Sequence, residues 1–186
     1  MKTLKFRLTG ESPLIMHNGR LSDPLDDFSK ALKKITGKRS KTEDDLEEMA
    51  RLEFLGSLYL SGGEPCLPGF CLEAGLAEAA KKTRQRKAAQ ASIFVPEDAK
   101  IIYKGPKDPD KLWKDKDFRI RASARVMNSR IIRTRPIFKE WQVDVSVSFD
   151  EGTFNPEDIE SLLKVLGESV GLLDWRPKFG RFTVKM

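Results

Sequence analysis

The tightest constraint on the fold lies between Gly63 and Ala80, where a short apolar strand ends at Leu67 and an Ala-rich helix follows Pro68-Gly69 at once. Pro68 has a fixed φ and Gly69 a permissive backbone, the pairing that a sharp strand-to-helix turn requires. Leu72, Leu76, Ala79 and Ala80 then recur at helical spacing, and Gly75 leaves room for another backbone to pack closely. Lys81, Lys82, Arg84, Arg86 and Lys87 follow, at the helix end where the dipole favours cations.

Around this turn the chain reads as alternating strands and helices. Residues 2–9 set Leu4, Phe6 and Leu8 against Thr3, Lys5, Arg7 and Thr9, the period of a half-buried strand. Residues 26–35 are weakly helical, and Thr42 caps a second helix whose first turn is acidic. Short strands are expected at 92–95 and 100–103, with a helical turn around Leu112 and Trp113. A long strand at 117–127 places its arginines mostly on one face. Trp141, Val143, Val145, Val147 and Phe149 mark the inward side of the cleanest strand, and Trp141 is expected in the core. Asn155 and Pro156 open a helix with a stripe of Ile159, Leu162, Leu163, Leu166 and Val170, and a last strand is expected at 178–185.

The strong elements give the order β-α-β-β-α-β, that of an α+β, ferredoxin-like domain spanning 1–186. Segment 20–60 is then a helical insertion, 84–116 an irregular insertion and 117–140 an arginine-rich β-hairpin arm. Two helices on one face leave the other sheet face open, where RNA-recognition modules of this topology bind single strands.

Charge points to the partner. Net charge is +6 and the pI is near 9.3. Between Arg119 and Lys139 lie seven cations and no acid, while Glu43 to Glu53 and Asp150 to Glu168 are acidic. Such segregation suits a one-faced polyanion binder. No run reaches the roughly 18 apolar residues of a membrane span, and no secretory pattern opens the chain, so a cytoplasmic location without membrane contact is expected. Cys66 and Cys71 read as small reduced core residues. With His17 the only histidine, no metal site and no cofactor is expected.

Three segments resemble the RAMP superfamily, the RNA-binding proteins of CRISPR systems. Ser12-Pro13-Leu14 leading to His17 is similar to its opening strand and loop, and Pro68-Gly69 to its helix-entry signature. The last helix with Arg176-Pro-Lys178-Phe-Gly-Arg-Phe182 is similar to its glycine-rich loop and final strand. The chain departs from the pattern at Glu73 and Glu78, where members carry Arg or Lys. It departs again at Asp174, Trp175 and Arg176, where the family loop is richer in glycine. The resemblance implies a RAMP/RRM-type fold in a prokaryotic or phage setting. It implies single-stranded RNA or DNA as partner, RNA preferred, and self-association or membership of a multi-subunit ribonucleoprotein. It also implies that the hairpin arm wedges between bases, with Met127, Ile131 and Ile132 as the apolar tip.

Phosphate contacts are accordingly expected from Arg119, Arg121, Arg125, Arg130, Arg133, Arg135 and Lys139, and from the cluster Lys81, Lys82, Arg84, Arg86 and Lys87. Trp175 and Phe179 lie among Arg176, Lys178 and Arg181, a mix suited either to stacking on bases or to capping the last helix. The expected role is non-catalytic binding. One alternative is a metal-independent endoribonuclease using His17 or Asp23, by analogy with RAMP members that cut RNA. Against it, Asp23-Pro24 also reads as an ordinary turn. The other alternative is a structural or interaction protein, a viral one included, that retains the fold.

Overall fold

A computed structural model shows an α+β protein with antiparallel sheets. The structure describes residues 1–126 and 129–186, with the backbone alone for 124–126 and 129. The chain begins with β1 (Lys2–Gly10), β2 (Leu14–Ile15), α1 (Asp27–Thr36) and α2 (Glu43–Ser57). Next come β3 (Leu60–Ser61), β4 (Glu64–Leu67), α3 (Gly69–Ala79), α4 (Arg86–Ser92), β5 (Ile93–Phe94) and β6 (Ala99–Lys100). It closes with α5 (Pro109–Lys114), β7 (Arg119–Val126), β8 (Ser129–Phe138), β9 (Gln142–Phe149), α6 (Pro156–Val165) and β10 (Phe182–Lys185). No helix among the described residues is long and apolar enough to cross a membrane. Two compact units result: 1–15, 60–104 and 138–186 form the first, 16–59 and 105–137 the second.

The first unit is built on a four-stranded sheet in the order β10-β1-β9-β5, antiparallel throughout. Leu8 lies opposite Val143, and Phe6 opposite Val145, so the apolar set of each strand falls on one face. α3 and α6 pack together and add Leu72, Leu76, Ile159, Leu162 and Leu163 to that core. Trp141 is buried as expected, with its indole N–H donated to the Ser12 carbonyl at 2.9 Å.

Two expectations need correction here. The second strand of this sheet is the two-residue β5, not the 117–127 strand. Strand β7 pairs along its whole length with β8 instead, from Arg119 opposite Pro136 to Val126 opposite Ser129. A hairpin partner nearby in sequence closes with little loop entropy, and β5 is too short to show a period. The last strand also starts later, at Phe182, because Gly180 has a φ of +73° that breaks extended backbone.

At the 63–80 turn the glycines act through space. A Cβ on Gly69 would stand 2.5 Å from the Val95 carbonyl oxygen, and the Gly69 N–H donates to the Asp98 carboxylate at 2.9 Å. Beside Gly75 the close neighbour is the Leu166 side chain, not a second backbone. Cys66 is 1% exposed, and burial pushes its thiol up to about 12, with Asp98 and Cys71 adding to the shift. Maleimide at pH 8 is therefore expected to label Cys71, which is half-buried, well before Cys66. Labelling of both thiols at equal rates in the native protein would contradict this burial.

In the second unit, α2 starts at a capping box in which Thr42 and Asp45 satisfy each other's backbone N–H groups. Its buried Glu53 accepts hydrogen bonds from the Arg133 guanidinium and, at 2.9 Å, from the Thr134 N–H. Glu53→Gln keeps an acceptor for Thr134 but removes the charge facing Arg133, so a loss of about 1–2 kcal/mol is expected on chemical denaturation. An unchanged midpoint would mean that Glu53 is not a joint between helix and hairpin.

Candidate nucleic-acid interface

The site forms where α3 ends and the loop before β10 returns. Past Ala79 the chain makes a 3₁₀ turn over Ala80–Thr83, and Arg84 takes a left-handed φ of 61° that turns it into α4. Lys81, Lys82, Arg84, Arg86 and Lys87 are all exposed along this connection. On the other side, α6 passes through a π-turn at Leu166–Val170 into the loop between Gly171 and Gly180.

Backbone hydrogen bonds hold that loop. The Leu172 N–H donates to Gly180, the Gly180 N–H to Pro13 and the Asp174 N–H to Ile15, at 2.9, 2.9 and 3.0 Å. Leu173 and Trp175 both adopt left-handed backbone, with φ of 59° and 55°. Such conformations cost about 1–2 kcal/mol each for residues with a Cβ, and they persist where the surroundings dictate them. Trp175 packs at 6.0 Å from Phe179, over which the Lys178 ammonium sits at 5.8 Å.

The two segments border an open, shallow groove of about 730 Å³ whose lining includes Lys81, Lys82, Ser169, Trp175 and Arg176. Lys82 donates to the Ser169 hydroxyl at 2.9 Å, and Lys81 to Glu78 at 2.6 Å. The Lys81 hydrogen bond holds the Glu78 carboxyl below its ordinary range, with Arg86 and Arg176 contributing. Lys81 and Lys82 from one segment and Arg176 from another, far apart in sequence, therefore line one groove with the half-buried Trp175. Ser169, Glu78 and Asp174 also line the groove and were not expected there. Glu78 and Asp174 adjoin the expected Lys81 and Trp175 in sequence, whereas Ser169 reaches the groove only through the packing of α3 against the π-turn. Arg181 is placed differently, with its guanidinium donating to the Glu168 carbonyl.

The arginine hairpin divides by register. Arg119, Arg121 and Arg130 share one face, since directly opposed residues point to the same side. Arg121 and Arg130 are exposed, and Arg119 stacks at 4.2 Å over Trp113. Arg133 and Arg135 fall on the other side, against the expectation of surface phosphate contacts. Arg135 is buried at 6% exposed, and Arg133, though half-buried, is committed to the buried Glu53 carboxylate. Lys139 is exposed beyond the end of β8. Ile131 and Ile132 line a cavity of about 480 Å³ with Leu46 and Met49 of α2. The remaining expected wedge residue, Met127, lies outside the described residues, as does the Arg125 side chain.

The sheet face opposite α3 and α6 carries Lys5, Arg7, Asp144, Lys185 and Phe94, all exposed. Arg7 and Asp144 pair through two hydrogen bonds of 2.7 Å. His17 and Asp23 lie in the second unit. The His17 carbonyl accepts from the Tyr59 hydroxyl, and the Asp23 carboxylate accepts from the Leu25 N–H at 2.9 Å, an Asx turn. No group of three or more metal-ligating side chains occurs among the described residues. Neither a scan against protein-family models nor a search of the curated proteins finds a match to this chain.

Proposed function

We propose that this chain is a RAMP-type protein that binds single-stranded nucleic acid, RNA in preference to DNA, chiefly through its phosphates and without cutting it. The observation that carries the reading is the groove joining Lys81, Lys82 and Arg176 to Trp175. Cations track a polyanion and release its counterions, while an indole face stacks on bases of any identity. The sheet order supports the ferredoxin-like part of the reading. Taking β1, β5, β9 and β10 as strands one to four, it runs 4-1-3-2, with α3 and α6 as the crossover helices. Self-association along the strand, or within a larger ribonucleoprotein, belongs to the same proposal.

The test is a titration with fluorescent single-stranded RNA, single-stranded DNA and duplex at low and physiological salt, with each probe checked for cleavage. Salt-sensitive binding to single strands with an intact probe is expected, and the mass of the complex should grow stepwise with oligonucleotide length. A cut probe would favour an endoribonuclease instead. Absence of binding at low salt would leave a structural or interaction protein.

A further inference from the structure

We propose that the groove reads a base as well as a backbone, with Glu78 accepting the N1–H and N2–H donors of a guanine stacked on Trp175. This rests on the single-strand reading above and extends it from phosphate contact to base preference.

A carboxylate stands in the wrong place for a phosphate site. Glu78 lines the groove beside Lys81, Lys82 and Arg176, where it repels every phosphate they attract. Its Oε1 accepts from Lys81, its Oε2 takes part in no hydrogen bond among the described residues, and its side chain is 38% exposed. The neighbouring cations keep it ionised, so it presents acceptors only. Phosphate oxygens are acceptors too and cannot satisfy it. The donors that a single strand carries are base N–H groups and, in RNA, the 2′-hydroxyl.

Guanine offers two parallel N–H donors on its Watson–Crick edge, matching the two oxygens of a carboxylate. Uracil offers one N–H, and adenine and cytosine each offer a single amino group. The strained backbone of Trp175 places its indole in the same groove, where a stacked base would bring its edge toward the groove wall. Glu78 itself projects from α3, a rigid element, so its position is set before any ligand arrives.

The test compares a nine-residue oligouridylate with the same oligomer carrying one central guanosine, each in ribo and deoxyribo form, on the full chain. The single guanine is expected to tighten binding roughly 10-fold in both sugar series. In Glu78→Ala that advantage, read as the ratio of the two affinities so that any change in plain binding cancels, should fall below about 2-fold. Ala suits a helix, and circular dichroism checks that the fold is kept. Equal affinity for the two oligomers, with plain binding intact, overturns the base preference and leaves the phosphate reading standing. A Glu78→Ala effect confined to the ribo series assigns the carboxylate to the 2′-hydroxyl and also overturns it. Loss of all binding at low salt removes the phosphate reading and this inference together.

Discussion

Neutralising Lys81, Lys82 and Arg176 together, as Lys81→Ala/Lys82→Ala/Arg176→Ala, is expected to weaken single-strand binding on the order of 100-fold at physiological salt. The three cations come from two segments but face one groove, so a strand lying there meets all of them. Each phosphate neutralised contributes about 0.7 to the slope of log affinity against log salt for a single strand. Removing three contacts should therefore flatten that slope by about 2. The matched control is Lys30→Ala/Lys33→Ala/Lys34→Ala on α1, which removes the same charge from a helix in the other unit. If both triple variants lose affinity equally, net charge and not the groove governs binding. A loss below threefold in the groove variant would move the phosphate contacts elsewhere, to Arg121 and Arg130 first.

Gly180→Ala is expected to destabilise the protein by about 3–5 kcal/mol, the largest effect of any single substitution considered. Two causes add. Gly180 has a φ of +73°, and its added Cβ would stand 2.1 Å from the Leu172 carbonyl oxygen and 2.6 Å from the Leu172 nitrogen. Those are backbone atoms held by the hydrogen bond from Leu172 to Gly180, so they cannot swing aside as a flexible side chain would. The loop carrying Trp175 and Arg176 closes at this point, so binding should fall along with stability. Gly19→Ala is the control, because nothing lies within 4 Å of its added Cβ and it needs no left-handed φ. Denaturant unfolding of both variants checks the prediction, and similar midpoints would show that the loop relaxes freely around position 180.

Single elements were legible in the chain where one short stretch carried both the period and the boundary. The alternations in β1 and β9, the Thr42 and Asn155 caps, and the Pro68-Gly69 entry to α3 all appear where the residues indicate. Side-chain period and cap chemistry act within a few residues, so sequence alone specifies them. Pairing is another matter. Strands β7 and β9 both alternate, yet only β9 enters the main sheet, because β7 finds a partner in β8 directly after it. The arginines show the same divide. Their number was plain in the sequence, but tertiary packing buries Arg135 and commits Arg133 to Glu53 while leaving Arg121 and Arg130 exposed. The groove is the clearest case, since Lys82 and Ser169 stand 87 positions apart and meet only through packing. Local patterns thus determined which elements form and where cations are concentrated. Long-range packing alone decided which cations share a surface, because residues distant in the chain become neighbours only once the core has brought their backbones together.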